Sequence, residues 1–373
     1  MHMQEHRSAG GFVTLGAVTI RLPSLARRSL LAGFTAAICI PSQLHAAQPT
    51  SPSVMRGAIR SSSGISFAPE LPKPTPAAGQ VLLRVVAAGI NPADYKIPKF
   101  IGGKVVGLEA AGVVEAVGPE VTSFGKGDEV FGFTVMGNGG LAEFALADVK
   151  KICKKPAALP WASAGSMPTT FLTGYQSLVE IGDLQKGGSV LIIGASGGCG
   201  TAGVQLAKAM GASEVVAVCS EPNQALVTRL GASRCVDYRD AQAYQEMVGT
   251  SKFDVVYDCA TGSGGGEDYA KDAQRMLKPG GTAVAINGGA GAWLRLLCGF
   301  QSPSAKMMLT RQNGEQLGTI LELLGADKSD PVIVDSTFAL SEEGVREGFA
   351  RLKSRRAKGK VVFEPGATGS GQA

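Results

Sequence analysis

At Leu191–Gly211 the chain reads LIIGASGGCGTAGVQLAKAMG, a stretch that leaves few folds open. Val190–Ile193 is a short β-branched run of the kind that suits a strand buried on both faces. Beyond it Val204, Leu206, Ala207 and Met210 recur at helical spacing, and Gly211 stands where a helix would stop. Between the two, Ala195-Ser196-Gly197-Gly198-Cys199-Gly200 fits the pattern G-x-G-x-x-G with alanine in the first slot. Glycines there permit a tight turn, close approach of a pyrophosphate to the main chain, and tight helix-on-strand packing. Free N–H groups at the helix start then face the anion. Glycine-rich turns also occur in α/β proteins that bind nothing. Here a second strand-like run, Val215–Cys219, follows, and the β-α-β context points to a bound dinucleotide.

The end of that second run separates two coenzymes. An NAD site usually carries an acid about 20 residues beyond the turn, accepting from the ribose 2′-hydroxyl. Counting from Gly200 reaches Ser220, which has no charge to repel a 2′-phosphate, so NADPH is expected and NADH is the second choice. Glu221 follows immediately, and a shift of one residue would restore the acid; no Lys or Arg lies in Glu221–Thr228.

A chain of 373 residues has room for two domains. Its net charge of +5 misleads, because residues 1–53 hold four Arg and one acid, leaving 32 basic against 30 acidic residues in the rest. So even a balance gives no case for nucleic acid. Seven cysteines, odd in number and without a CxxC pair, read as small apolar residues in a reducing compartment. No run of 18 apolar residues marks a membrane span. Residues 1–53 read as a targeting leader: Arg-rich, nearly free of acid, with Arg27-Arg28, an apolar run Leu30–Ile40 and small residues at Ala46-Ala47. A chloroplast destination is expected, with a mitochondrial presequence or a start at Met55 as alternatives.

Along the body, Met55–Ile65, Gln80–Ala88, Lys104–Val117 and Asp128–Phe133 read as short strands, an all-β and barrel-like part. From Trp161 the pattern turns helical (Ser163–Val179). Strands and helices then alternate: Val190–Ile193, Gly200–Met210, Val215–Cys219, Asn223–Leu230, Val255–Cys259, Ala270–Leu277 and Thr282–Ile286. Such alternation implies a doubly wound parallel sheet. Strand-like residues return at Val332–Phe338 and Lys360–Phe363, around a helix at Ser341–Lys353.

The chain resembles the medium-chain dehydrogenase/reductase superfamily over nearly all of residues 54–365. The resemblance is carried by AAGINPADYK (87–96), GLEAAGVVEAVG (107–118), GDEVFG (127–132), PTTFLTGYQSL (168–178), GASGGCG (194–200), FDVVYDC (253–259), LKPGG (277–281) and KGKVVF (358–363). It is most similar to the zinc-free quinone oxidoreductase branch, near plastid-envelope quinone oxidoreductases and mitochondrial reticulon-interacting oxidoreductases. An α/β fold is implied: a GroES-like β-barrel catalytic domain (54–172), a Rossmann NADPH-binding domain (173–324), a return segment (325–366) and a tail (367–373). Where zinc members carry a Cys and a Gly-His-Glu motif, this chain has Asn91 and Gly107-Leu108-Glu109, and its three histidines (2, 6, 45) all lie in the leader. No zinc is therefore expected.

What the resemblance implies is hydride transfer from NADPH to a quinone or an α,β-unsaturated carbonyl. The open alternatives are a reductase of 2-alkenals in lipid-aldehyde detoxification, and a non-catalytic NADPH-binding redox sensor or membrane-associated partner. Asn91 and Tyr95 are the candidate catalytic donors, against a bland role as turn and packing residues. Family position places Ser196, Gly197, Gly198, Cys199 and Gly200 at the pyrophosphate and Thr173 at the nicotinamide ribose. Ser220 and Tyr238 fall at the 2′-phosphate and adenosine end, with Cys259, Asn287 and Lys358 at strand ends touching coenzyme. A homodimer is also implied. Gly288–Leu309 is unusually apolar; Trp293, Leu294, Leu297, Phe300, Met307 and Met308 fit a pocket lining or lid, a peripheral membrane contact, or core and subunit packing.

Overall fold

The computed structural model describes residues 54–62, 64–262, 267–325 and 330–366, together with the backbone alone of 12–15 and 18–21. Within the expected leader, Phe12–Leu15 pairs antiparallel with Val18–Arg21. The remaining leader expectations, and the tail, lie outside the described residues.

In the first part of the body a seven-stranded sheet runs in the order Val334–Ala339, Lys360–Glu364, Gln80–Ile90, Glu109–Val117, Glu129–Phe133, Ile152–Lys154, with Phe144–Asp148 also paired to Gln80–Ile90. The chain end thus joins a strand met some 270 residues earlier: Val361 lies opposite Ile90 and Phe363 opposite Ala88. The single strand expected over Met55–Ile65 is instead a hairpin, Val54–Ser61 against Gly64–Pro72. Gly64, at φ +118°, makes the reversal cheap. Pro69 and Pro72 are tolerated in the second arm because it pairs with its hairpin partner alone, so no ladder bond is lost on its free side. The strand expected from Lys104 starts at Glu109. Gly107 (φ +106°) breaks the run, and a Cβ there would meet the Leu141 nitrogen at 2.4 Å.

The second part is a six-stranded sheet, all parallel: β1 (Ser189–Ile193), β2 (Glu214–Val218), β3 (Arg234–Val236), β4 (Phe253–Asp258), β5 (Leu277–Ala285) and β6 (Ala305–Met307), in spatial order 3-2-1-4-5-6. All five residues of β1 are buried, as a central parallel strand requires. Helix α1 (Trp161–Tyr175), prolonged by a wider turn at Gln176–Ile181, packs with α2 (Gly198–Ala209) on one face over Met167, Phe171, Val204, Leu206 and Tyr257. Leu191, Ile193, Val218, Phe253 and Met276 form the core on the other. Strand order reverses between β1 and β4, and a crevice at their carboxyl ends is where such sheets take ligands.

The apolar stretch Gly288–Leu309 divides. Met307 and Met308 are buried, which is core packing. Helix α3 (Ala290–Leu297) buries none of its residues, and Leu297 and Phe300 are 79% and 75% exposed.

Candidate functional site

The turn leaving β1 is shaped by what glycine lacks. Gly194 has φ +78°, and a Cβ on Gly200 would sit 2.2 Å from the Gly194 carbonyl oxygen. A Cβ on Gly198 would meet Thr170 Cγ2 at 3.0 Å and Lys360 Cδ at 3.1 Å. Helix α2 starts at Gly198, two residues before the expected Gly200, and no side chain caps it. Its first-turn N–H groups are therefore available to an anion. From the other side Gly359 N–H donates to the Ser196 carbonyl (3.0 Å), pinning the return segment to the turn.

At the end of β2 the organiser is Asn223, which sequence reasoning passed over. Its Nδ2 donates to Ser196 Oγ and to Ser220 Oγ, both at 3.1 Å, joining the glycine turn to the end of β2. Glu221 is exposed, and its backbone N–H donates to Asp237 Oδ2 (2.9 Å). Arg239 grips the same carboxylate through Nε and Nη2 and holds it well below the usual range. Tyr238 stands half-exposed beside them.

Toward the middle of the crevice, Thr173 is buried and its hydroxyl lies 2.6 Å from that of Thr310. Asn287 Nδ2 donates to the Gly262 carbonyl (2.5 Å), and so does Lys96 Nζ (3.2 Å). Burial pushes the Cys199 thiol up to about 11 and the Cys259 thiol well above its ordinary value, so neither is a ready thiolate. Lys358 is exposed, and its backbone N–H is held by Asp335 Oδ1 (2.9 Å).

Two residues later lies the group that the sequence concealed. Lys360, 4% exposed, directs Nζ at three oxygens: Ile90 O (3.2 Å), Asn91 Oδ1 (2.6 Å) and Glu109 Oε1 (2.8 Å). Asn91 Nδ2 donates to Glu109 Oε1 (2.7 Å) and reaches Thr169 Oγ1 at 3.5 Å; the Thr169 N–H donates to Glu109 Oε2 (2.6 Å). Asn91 is thus held on both sides of its amide. Asp94, fully buried, accepts from the Asn91 N–H through Oδ2 (2.7 Å), while its Oδ1 has no partner. Burial is the main reason its pKa is raised to about 6. Arg60 lies close by, donating to the backbone oxygens of Asp94 and Gly102. Tyr95 packs against the core built on Phe349 and Phe363, with the Lys353 ammonium 5.3 Å from its ring centre. One signal pointed at the cluster: a Glu and a Lys set among apolar strand residues, EAAGVV and KVVF.

Residues 77–157 match the alcohol dehydrogenase GroES-like domain, and residues 230–363 match the family described as zinc-binding dehydrogenase. The chain is 34% identical over 301 residues to the 2-methylene-furan-3-one reductase of Solanum lycopersicum, covering 77% of this chain and 72% of that one. It is 32% identical over 314 residues to the chloroplast envelope quinone oxidoreductase homolog of Arabidopsis thaliana, covering 79% and 93%. Among solved structures, the quinone oxidoreductase from Coxiella burnetii superposes with a TM-score of 0.72 at 26% identity, covering 84% of this chain and 99% of that one.

Proposed function

Because the chain belongs to the medium-chain dehydrogenase/reductase superfamily, we propose that it is a zinc-independent reductase passing hydride from NADPH to a quinone or an α,β-unsaturated carbonyl. The Lys360–Glu109–Asn91 cluster carries this reading. A catalytic zinc needs about three N, S or O ligands and an open position. Here both Glu109 oxygens and the Asn91 carbonyl oxygen are already taken, two of them by an ammonium. Among the described residues no group of three or more His, Cys, Asp or Glu is placed to hold a metal. The donor set does not suit zinc.

It does suit a dinucleotide. The N–H groups opening α2 and the main chain of Ser196–Gly200 would hold the pyrophosphate, and Ser220 and Tyr238, with Asn223 behind them, the adenosine end. Thr173 and Asn287 would border the nicotinamide, which supplies a hydride when bound. NADPH is favoured over NADH because Ser220 replaces the usual acid and Asp237 is neutralised by Arg239. The substrate class rests on the named relatives: a 2-methylene-furan-3-one is itself an enone, and an acceptor already electrophilic needs no metal to polarise it. An organelle, chloroplast before mitochondrion, is the proposed location, and lobe boundaries near residues 172 and 324 the proposed division.

Initial rates with the full-length protein test this. Added quinone or enone should oxidise NADPH at least about tenfold faster than NADH, a gap of about 1.4 kcal/mol, without loss on adding a chelator. No turnover with either acceptor class, or activity abolished by chelation, would overturn it.

A further inference from the structure

The cluster around Asn91 ends on a side chain that neither sequence reasoning nor family position singled out. Thr169 stands one helical turn before Thr173 on α1, so the two hydroxyls share a face. Of the four side chains Asn91, Glu109, Lys360 and Thr169, the first three are buried and Thr169 alone is partly exposed. Its neighbour Thr170 abuts Gly198, where α2 begins, so this face of α1 adjoins the coenzyme turn.

The direction of the hydrogen bonds is fixed from within. Lys360 has donors only, so the Asn91 atom beside it at 2.6 Å must be the carbonyl oxygen. Asn91 Nδ2 is then forced toward Glu109, which accepts one hydrogen at 2.7 Å, and Thr169 Oγ1, at 3.5 Å, is the acceptor within long reach of its second. A hydroxyl whose oxygen receives an amide hydrogen keeps its own hydrogen to give away. The Thr169 backbone N–H, tied to Glu109, fixes the position of the residue.

Resting on the reductase reading above, we propose that Thr169 is a catalytic residue whose hydroxyl donates to the carbonyl or quinone oxygen of the acceptor. Lys360, Glu109 and Asn91 are positioning residues that aim it. In an enone the incoming hydride forms a C–H bond at the β-carbon as the coenzyme is oxidised. The carbon–carbon π pair shifts toward the carbonyl, and its oxygen takes the negative charge. Thr169 keeps its proton and steadies that charge by hydrogen bonding; water supplies the proton that completes the reduction. Asn91 on this account acts through Thr169 rather than on the acceptor.

Thr169→Val removes the hydroxyl while keeping the N–H to Glu109, and Thr169→Ser keeps both. The expected result is a kcat lowered about 100-fold in Thr169→Val, restored in Thr169→Ser to within about threefold, with the Kd for NADPH unchanged in both. A second readout is the infrared carbonyl stretch of a bound, non-reducible enone: lowered in the wild type and in Thr169→Ser, and returned toward its apolar-solvent value in Thr169→Val. Wild-type-like kcat and carbonyl stretch in Thr169→Val would overturn the proposal and leave the reductase reading intact. Equal loss in both variants would overturn it too, marking a structural role. Should the wild type reduce no acceptor, the reductase reading fails and the catalytic role falls with it.

Discussion

The glycine turn after β1 and the charge cluster around Lys360 adjoin each other, yet they are made by opposite means. The turn is seven consecutive residues, Gly194–Gly200, acting through the main chain. The cluster draws its members from segments 18, 78 and 269 residues apart and acts through side chains. A main-chain site is sensitive to any added atom at Gly200 and indifferent to many side chains. A buried polar cluster is sensitive to any lost partner, because Asn91, Glu109 and Lys360 are dry and answer for one another's charge.

The contrast is most exposed to failure at Lys360. Lys360→Met should cost about 3–5 kcal/mol in urea unfolding, because it strands the Glu109 carboxylate without a counter-charge. Adding Glu109→Gln should recover part of that loss. A cost below about 1 kcal/mol would mean that the cluster is no more dependent on its partners than a surface pair.

Asp94 gives a pH-dependent test of the same dryness. Its carboxyl titrates near 3.8 unfolded and at about 6 folded, so between these values the folded chain binds more protons. Its contribution is fully present below pH about 4 and is lost as pH rises through about 6. Wild-type stability relative to Asp94→Asn should therefore fall by on the order of 2–3 kcal/mol across that window. Parallel pH profiles for the two would show that the site is wet.

The smallest effect is expected on the turn's side. Asn223→Ala removes two hydrogen bonds that hold Ser196 to Ser220, and should weaken NADPH about fivefold, or about 1 kcal/mol. An unchanged Kd would sharpen the contrast, since the main chain alone would then suffice.

Legibility followed the same line. The pattern around the turn gave β1 to within one residue, since a dry central strand and an amphipathic helix repeat locally. It put the helix start late because Gly198 and Cys199 carry no apolar period. The apolar stretch Gly288–Leu309 leaves pocket, membrane contact and packing open and marks no helix; in the helix Ala290–Leu297 Leu294 and Leu297 are exposed, so they mark no core. Of the cluster only Asn91 was singled out. Family position points to Lys358 in the return segment, whereas Lys360 opens a strand buried over Lys360–Phe363, where no alternation marks a lysine as inward. Asn223 was invisible for another reason: its two partners meet only after β1 and β2 pair.

Gly359 carries a consequence for motion. One peptide N–H there ties the segment bearing the buried ammonium to the carbonyl of Ser196, in the glycine turn. Any opening of the crevice either ruptures that tie or swivels about it. An opening that kept this tie would have to turn about Gly359 and Ser196, and the parts of the mouth farthest from that bond would then travel most.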